Sequence, residues 1–506
     1  MKKWRRLRRI AGTGAFFALL FLAVALTSHL LERKESSVKY GAFLKNPSQY
    51  DVLFLGNSHA VNAAYPMELW RDYGITSYNL SGYGDTVPVS YWVLMNALDQ
   101  GARPSVVVVD VDDIGRRNKT SESSGDVHTA LDWLPLTLTK ARAIEDLMSD
   151  PNAEANDGEV RRYVDIKWEY YFTLGAYHER WQHLTQADFS READLNMGAD
   201  MSVEVAAPRD YDVVDVQGWE DNHLPGFVYL RRIVEECQAR GIDVLLTFMP
   251  FPVTLDAQDP IAGVQYIEQD YGLHFIDFVS MDSVVDYGTD CYDSYSHLNP
   301  SGARKVTDYL GQVLRERYGV ADHRGDEAYG AWDAQYDAYT DYKLDLVRNE
   351  NGLAKALMLL HDGEFSVMIN VREGSAVYQD GVLLSLMQNI AREHLYEENA
   401  LDLWSDSLTP LAQLSRAAAY GVPYFAVIDR ADGRWNAQVQ ERPGVGKDVL
   451  VTSFGEVEYR SDESGAEANV NGRRVFEAQT DAPDVRIAVI DRRTNEVAAV
   501  LEYDVQ

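Results

Sequence analysis

The sequence has only two cysteines in 506 residues, Cys237 and Cys291. Two cysteines cannot build the disulfide framework of a small secreted domain, and they do not form the cluster that a structural zinc ion needs. Cys237 falls on the apolar stripe of a predicted helix, where a cysteine is most simply a small core residue. A single disulfide between the two is open, but their spacing does not favour one. We therefore predict no metal site.

Basic residues are also scarce, since 47 Lys and Arg stand against 79 Asp and Glu, for a formal net charge of −32. Six of the basic residues lie between Met1 and Arg9, so the remaining chain carries 41 basic against 79 acidic residues. Such a surface is most simply a soluble, self-repelling exterior, and it repels nucleic acid and phosphate-rich polymers. We therefore predict no nucleic-acid partner.

One long apolar run stands at the N-terminus, where residues 10–31 contain no Asp, Glu, Lys or Arg. At ~1.5 Å per residue this run can cross a hydrocarbon core of about 30 Å. The basic segment 1–9 in front of it predicts a cytoplasmic N-terminus, a transmembrane helix at 10–31 and a stalk at 32–48 outside. The alternative is a cleaved signal peptide, because Ala23-Val24-Ala25 is a small-x-small site. The apolar run continues past that site, which favours an uncleaved single-pass anchor.

The first motif is the stretch Asp51 to His59, which reads Asp-Val-Leu-Phe-Leu-Gly-Asn-Ser-His. Its apolar residues 52–55 predict a strand buried on both faces of a parallel sheet. Gly56 allows a tight turn, and Asn57 or Ser58 can cap the following helix, which the apolar residues at 61, 64, 67 and 69 imply. Ser58 is thus predicted at the carboxyl edge of a sheet, where open α/β folds bind ligands.

A serine hydroxyl becomes a good nucleophile only when a base removes its proton and a carboxylate orients that base. The stretch 290–304 supplies both kinds of residue, with Asp290 and Asp293 preceding His297. Asn299 and Pro300 mark the start of a helix with an apolar stripe. His297 is therefore predicted in a loop just before a helix, again at a sheet edge.

These two motifs resemble the first and last blocks of the SGNH (GDSL-like) hydrolase superfamily, over about residues 49–318. The resemblance implies a doubly wound parallel sheet with Ser58 as nucleophile, His297 as general base and Asp293 as its orienting acid. It also implies an oxyanion hole made by the amides of Ser58 and of Gly82 or Gly84. With the N-terminal anchor, the chain resembles the cell-envelope branch, which includes alginate and peptidoglycan O-acetyltransferases and the D protein of teichoic-acid D-alanylation. This chemistry needs no cofactor.

The sequence departs from the family pattern at two points. The family places its acid three residues before the histidine, whereas Asp293 lies four before His297, so Asp290 or no acid at all are alternatives. The asparagine block after the third strand is replaced by residues 110–113, Asp-Val-Asp-Asp, and a carboxylate donates to an oxyanion only when protonated. His59 is expected to cap the helix or contact substrate. Asn79 and Asp110 are further candidate substrate contacts.

A long insertion, about residues 114–215, is polar and largely helical in pattern, with a loop predicted at 152–158. Its aromatic segment runs from Trp168 to Trp181 and includes Tyr177 and His178. These four side chains could form a platform for a sugar ring or a lid over Ser58. The alternative is an aromatic face that packs the insertion onto the sheet.

Three units are predicted after the first domain: a linker at 319–342, a small α/β unit at 343–434 and a β-rich module at 435–506. Strands are expected at 365–371 and 424–428, and helices at 346–360, 382–394 and 410–420. Asn471-Gly472 predicts a two-residue hairpin turn. Neither of the last two units shows a nucleophile with its base.

The expected function is acyl transfer through an acyl-serine outside the cytoplasm, most simply O-acetyl transfer to a cell-envelope polysaccharide. The resemblance implies that a multispanning membrane acyltransferase supplies the acyl group. An esterase or deacetylase acting on the same polymers is one alternative. A non-catalytic glycan-binding or scaffold protein is the other, because the acid spacing and the missing asparagine depart from the pattern.

Overall fold

The structure is a computed structural model. It describes residues 2–32, 34–189, 193–206, 223–251, 261–281, 284–294, 297–361, 363–391, 410–430, 448–462, 465–477 and 482–505. Within these ranges the chain is a mixed α/β protein with a parallel sheet, two antiparallel four-stranded sheets and a small hairpin.

The strands of the described residues, in chain order, are β1 Val52–Leu55, β2 Ser77–Asn79, β3 Val106–Asp110, β4 Glu154–Asn156, β5 Val160–Arg162, β6 Asp243–Phe248, β7 His274–Asp277, β8 Phe365–Val371, β9 Tyr424–Ile428, β10 Asp448–Thr452, β11 Gly455–Asp462, β12 Gly465–Val470, β13 Arg473–Phe476, β14 Val485–Asp491 and β15 Glu496–Tyr503.

The α-helices are α1 Lys2–Leu31, α2 Lys34–Phe43, α3 Ser58–Ala63, α4 Pro66–Tyr73, α5 Val87–Asp99, α6 Ser124–Leu131, α7 Leu138–Leu147, α8 Tyr163–Tyr171, α9 Leu174–Tyr177, α10 Pro225–Gln238, α11 Ile261–Tyr271, α12 Pro300–Glu316, α13 Gly330–Asn349, α14 Leu353–Leu360, α15 Gly381–Ala391 and α16 Pro410–Tyr420.

Helix α1 contains an apolar, solvent-exposed stretch, Arg8–Ser28, that is long and apolar enough to cross a membrane. The segment after it was predicted to be a stalk, and this prediction is wrong. It contains α2, whose Tyr40 and Phe43 are fully buried in the core of the first domain. Burial of these two aromatic side chains removes apolar surface from water, and a solvated stalk would leave that surface exposed. The first domain therefore begins directly after α1.

The central sheet has the strand order β2-β1-β3-β6-β7, and every neighbouring pair is parallel. This confirms the predicted parallel sheet, and β1 and β3 are buried along their whole length. The chain turns from β1 outward to β2 and then crosses back to β3, so the order reverses next to β1. Ligands bind in open α/β sheets at such a point, beyond the carboxyl ends of the strands.

The single helix predicted after β1 is in fact two helices, α3 and α4. Ala64 and Tyr65 between them have extended backbone, and Pro66 opens α4. A proline disfavours helical geometry in the residue before it and cannot donate a backbone hydrogen bond. The break leaves Ser58 on a short, six-residue helix.

The insertion is helical as predicted, with helices α6 to α9 and further 3₁₀ turns at His178–His183 and Gln186–Phe189. The loop predicted at 152–158 is wrong, because β4 lies there and pairs antiparallel with β5. Ala155, at the centre of β4, is fully buried, which a solvated loop would not provide.

The predicted division of the C-terminal half is also wrong. The linker at 319–342 contains most of α13, whose Trp332 and Tyr339 are buried in the core of the first domain. The predicted boundary at 434 would divide one sheet between two units, since β14 and β15 pair with β8 and β9 in the order β15-β14-β8-β9. Strand β14 is buried throughout because it lies between β8 and β15. The remaining strands form the antiparallel sheet β10-β11-β12-β13, and the predicted turn is confirmed with positive φ at Asn471 and Gly472.

A buried ionic network joins the C-terminal half to the first domain. The Lys343 ammonium on α13 lies 3.4 Å from the Glu68 carboxylate on α4 and 3.2 Å from the Glu364 carboxylate. The Arg71 guanidinium, also on α4, pairs with Glu364 at 2.5 Å. Buried charges are tolerated only when they are paired in this way. Helix α4, which follows the Ser58 helix, is thus held against the C-terminal half.

Candidate active site

Ser58, His297 and Asp293 form one hydrogen-bonded chain. Ser58 Oγ lies 2.7 Å from His297 Nε2, and His297 Nδ1 lies 2.7 Å from Asp293 Oδ2. With a neutral imidazole, Nδ1–H donates to the carboxylate and Nε2 accepts from the serine hydroxyl. The sequence separates Ser58 from His297 by 239 residues, and the fold brings them into contact. This arrangement is that of a nucleophile, a base and an orienting acid.

Ser58 is positioned by the turn at the end of β1. The Asn57 side chain caps α3 by accepting a hydrogen bond from the His59 N–H at 2.9 Å. A Cβ added to Gly56 would lie 2.6 Å from the Cβ of Asp110, at the end of the neighbouring strand. Only glycine allows the turn to approach β3 this closely. The serine hydroxyl therefore stands at the carboxyl edge of the sheet, as predicted.

A small hairpin explains how an acid four residues before the histidine can still bond to it. The Tyr292 N–H donates to the His297 carbonyl at 2.9 Å, and Cys291 forms an antiparallel bridge with Leu298. Asp293 Oδ1 also accepts a hydrogen bond from the His297 N–H at 3.1 Å. One carboxylate thus holds both the backbone and the ring of His297.

Asp290, the alternative acid, has a different position. Its carboxylate is fully buried, pairs with the Lys305 ammonium at 2.7 Å and accepts from the Ser301 hydroxyl at 2.9 Å. Lys305 and Ser301 both belong to α12, so Asp290 fastens the loop to that helix. The structure therefore pairs His297 with Asp293.

The surroundings of His297 are largely aromatic. Its ring stacks on His59 and Tyr292, with centroids 4.7 and 5.6 Å away, and meets the edge of Tyr83 at 6.4 Å. Burial, and then the nearby His59, lower the pKa of His297 below its usual value, against the opposing effect of Asp293. Since burial disfavours the charged form, His297 is held as the neutral imidazole that a base requires.

A second His–Asp contact lies beside this chain. His59 Nδ1 is 3.0 Å from Asp112 Oδ2, and the His59 ring stacks on Phe251 at 4.1 Å. The Asn57 amide nitrogen donates to both oxygens of Asp112 at 2.6 Å. In the sequence, Asp112 is only one of the acidic residues that stand in place of an asparagine block, and no role is predicted for it. Its closeness to His59 depends on the pairing of β1 with β3, which no local signal reveals.

The predicted oxyanion donors differ in their availability. The Gly82 N–H donates to the Gly56 carbonyl oxygen at 3.1 Å, so this amide already has a partner. Gly84 has a φ of +70°, which favours glycine. The Ser58 N–H lies in the first turn of α3, where backbone donors have no acceptor within the helix. All three donor roles stay predictions, and the bond that the Gly82 N–H already makes leaves Gly84 as the glycine to propose.

Asn79 and Asp110 are not presented to a substrate. The Asn79 amide nitrogen donates to the carbonyls of Ala60 and Ala64 at 2.8 and 3.0 Å, and the residue is fully buried. Asp110 lies under Gly56, accepts from the Met249 N–H at 2.9 Å, and has its pKa raised well above the usual range, first by burial and then by Asp112. Both side chains support the turns around Ser58.

The four residues predicted in the aromatic segment lie elsewhere. Tyr177 is buried and donates to Asp132 at 2.7 Å, while Trp168, His178 and Trp181 are exposed. Helix α9 and the 3₁₀ turn after it pack against α1. The structure therefore places this segment beside α1, and its predicted role as a platform or lid over Ser58 stays a prediction.

The lowered pKa of His297 predicts the pH dependence of any reaction that uses it as a base. The neutral form is retained as the pH falls below the usual histidine value of about 6.5, so the acid limb of kcat/KM should have its midpoint below that pH. The substitution His59→Gln removes one of the groups that lower the pKa of His297, and it should therefore shift the midpoint of the acid limb to a higher pH. A pH profile of p-nitrophenyl acetate hydrolysis measures both, and a wild-type midpoint at or above 6.5 would contradict the prediction.

Comparison with known proteins adds little to this geometry. No family model matches the chain, and no curated protein matches it significantly. A crystal structure of a candidate acylhydrolase from Bacteroides fragilis NCTC 9343 is similar at 13% identity and a TM-score of 0.26, over 56% of this chain and 95% of that one. A similarity this low carries no argument about activity. The fold and site define a mixed α/β chain with an assembled Ser-His-Asp constellation. Among the described residues, no group of three or more His, Cys, Asp or Glu side chains could hold a metal ion.

Proposed function

We propose that this chain is a serine enzyme of the SGNH type that transfers an acyl group through a covalent acyl-serine. The observation that carries the proposal is the continuous hydrogen-bonded chain from Ser58 Oγ through His297 to Asp293, with both contacts at 2.7 Å. A non-catalytic scaffold would not require these three side chains to be hydrogen-bonded to one another. The assembled geometry therefore favours the enzyme over the non-catalytic alternative.

In the first half-reaction, Ser58 Oγ attacks the carbonyl carbon of the acyl donor while His297 Nε2 takes the serine proton. The Asp293 carboxylate holds the imidazolium that forms. The Ser58 amide, with Gly84, is proposed to bind the developing oxyanion. The tetrahedral intermediate collapses, His297 returns the proton to the leaving oxygen, and the acyl-serine remains.

In the second half-reaction, His297 takes a proton from the acceptor hydroxyl as its oxygen attacks the acyl-serine carbonyl, and it returns that proton to Ser58 Oγ when the bond from the acyl carbon to Ser58 Oγ breaks. Water as the acceptor makes the chain an esterase, and a sugar hydroxyl makes it a transferase. The aromatic rings of Tyr83 and Tyr292 beside His297 are suited to contact a sugar ring at this step. We propose transfer to a cell-envelope polysaccharide, with esterase activity on such polymers as the second candidate.

The position of the N-terminal helix supports a reaction close to a membrane. Helix α2 follows α1 directly, and its Lys39 ammonium donates to the Ser81 carbonyl at 2.5 Å, next to the loop that carries Gly82 and Gly84. Its Tyr40 hydroxyl donates to the Leu80 carbonyl at 3.3 Å. Ten residues of helix span about 15 Å. We propose a single-pass anchor with the site outside the cytoplasm, and a multispanning membrane acyltransferase as donor partner.

The experiment that tests this function follows the fate of the acyl group. Full-length protein in phospholipid nanodiscs receives p-nitrophenyl acetate, with and without polysaccharide fragments as acceptors. We expect acetylated acceptor, detected by mass spectrometry, and faster p-nitrophenol release when the acceptor is present. Free acetate alone would support the esterase, and a folded protein that releases no p-nitrophenol above the Ser58→Ala variant would overturn both enzymatic functions.

A further inference from the structure

The C-terminal end of α1 is bonded to the insertion of the first domain. Ser28 Oγ lies 2.7 Å from Thr173 Oγ1, and the Thr173 hydroxyl donates to the Glu32 carboxylate at 3.0 Å. The Arg180 guanidinium donates to the Leu31 and Glu32 carbonyls at 2.7 and 2.6 Å. The last carbonyls of a helix lack intrahelical partners, and Arg180 satisfies two of them.

Arg180 is itself fixed by the insertion. Its guanidinium pairs with Asp188 at 2.6 Å, and Asp188 also accepts from the Thr185 N–H at 2.8 Å. The segment 173–188 thus forms a connected set of bonds around the end of α1. The orientation of the insertion relative to α1 is therefore set by specific contacts.

Four large aromatic side chains on or beside this segment are exposed, although aromatic residues usually bury their surface. Trp168, Phe172, Trp181 and Phe189 are between 48% and 66% exposed, and we name them the aromatic rim. Thr173 and Arg180 bond to the end of α1, and Asp188 pairs with Arg180. The sequence neighbours of these three residues are Phe172, Trp181 and Phe189. Trp168 lies against Gly175, on α9. Each rim residue is therefore held close to the end of α1.

The length of α1 places the rim at a defined height. The apolar stretch Arg8–Ser28 has 21 residues, which span about 30 Å, the thickness of a hydrocarbon core. Ser28 then lies at the outer boundary of that core, and Thr173, bonded to it, lies at the same level. Trp and other aromatic side chains prefer this interfacial layer.

We propose that the aromatic rim lies in the headgroup layer of the bilayer and fixes the orientation of the ectodomain on the membrane surface. The occupant of this exposed face is lipid, because the face is continuous with the end of the helix that enters the bilayer. The inference rests on the proposed anchor. With α1 and the rim as two attachments, the ectodomain is held at a fixed tilt with its Ser58 site at a constant height.

The test places a fluorescent probe on single cysteines at the rim. Full-length Phe172→Cys and Trp181→Cys proteins are labelled with an environment-sensitive fluorophore and reconstituted into phosphatidylcholine vesicles, with and without a nitroxide on the lipid headgroup. Tyr266→Cys and Val451→Cys, 51% and 75% exposed in the parent protein, serve as matched surface controls. Cys237 and Cys291 are buried, so the parent protein measures background labelling.

We expect quenching at both rim positions that is at least about threefold greater than at the two controls, as an interfacial location requires. Circular dichroism confirms that each variant is folded. If the protein floats with the vesicles but its rim probes are quenched no more than the controls, the proposal is overturned while the anchor is still supported. That result would also be obtained if the rim instead faced another protein. Failure of the full-length protein to float would show that the anchor itself, and the rim with it, is wrong.

Discussion

The variant Ser58→Ala should lose esterase activity toward p-nitrophenyl acetate by at least about 10³-fold in kcat/KM, as removal of a serine nucleophile does in comparable enzymes. Ser58 Oγ is the oxygen bonded to His297 Nε2, so alanine leaves the base without a proton to take. The residue lies at the start of a short helix, and alanine is compatible with that helix. We therefore expect the variant to fold normally, which thermal unfolding measures.

Ser105→Ala is the matched control for this loss. The Ser105 hydroxyl also bonds within the first domain, donating to the Asp51 carbonyl at 3.0 Å, but it lies at the opposite end of the sheet from Ser58. We expect wild-type kcat/KM for this variant. Retention of more than about a tenth of the activity in folded Ser58→Ala would contradict the assignment of the nucleophile.

Asp293→Asn should lower kcat by about 10² to 10⁴-fold with little change in stability, because an amide cannot stabilise the imidazolium and can favour the wrong tautomer. The Asp293 side chain is about a quarter exposed, so its replacement costs little folding free energy. The loss should appear in kcat measured with p-nitrophenyl acetate, while the melting temperature stays near that of the wild type.

Asp290→Asn is the matched comparison, since it changes the other carboxylate of the same loop. It leaves the buried Lys305 ammonium without its charge partner, and breaking a buried ion pair costs about 3 kcal/mol or more. We expect a lower melting temperature and a kcat of the folded protein within a few-fold of wild type. The reverse pattern, with kcat lost in Asp290→Asn and kept in Asp293→Asn, would identify Asp290 as the orienting acid.

Local sequence pattern was sufficient for the strands that are buried on both faces. The apolar runs at β1, β8 and β9 are short and bounded by turn residues, so their limits follow from composition alone. Local pattern also placed Ser58 and His297 just before helices, while their roles and the choice of Asp293 as the acid came from the resemblance to the SGNH superfamily. Asn57 before α3 and Asn299 before α12 mark the helix starts that place Ser58 and His297.

Long-range pairing was what the sequence could not reveal. Strand β14 pairs with β8 across more than 100 residues, so the division of the C-terminal half could not be predicted from composition. The same holds for the contact of His59 with Asp112, which needs β1 and β3 to be neighbours. Asn79 and Asp110, predicted as candidate contacts, lie at the ends of β2 and β3, and only packing decides which way such side chains point.

Ser58 is proposed as a nucleophile that His297 activates. The most direct measurement is reaction of the full-length protein with a fluorophosphonate probe, followed by mass spectrometry of the peptides. We expect one adduct, on Ser58, that is absent in Ser58→Ala and forms much more slowly in His297→Ala. A folded wild-type protein that stays unlabelled, or that carries its adduct on another residue, would contradict it.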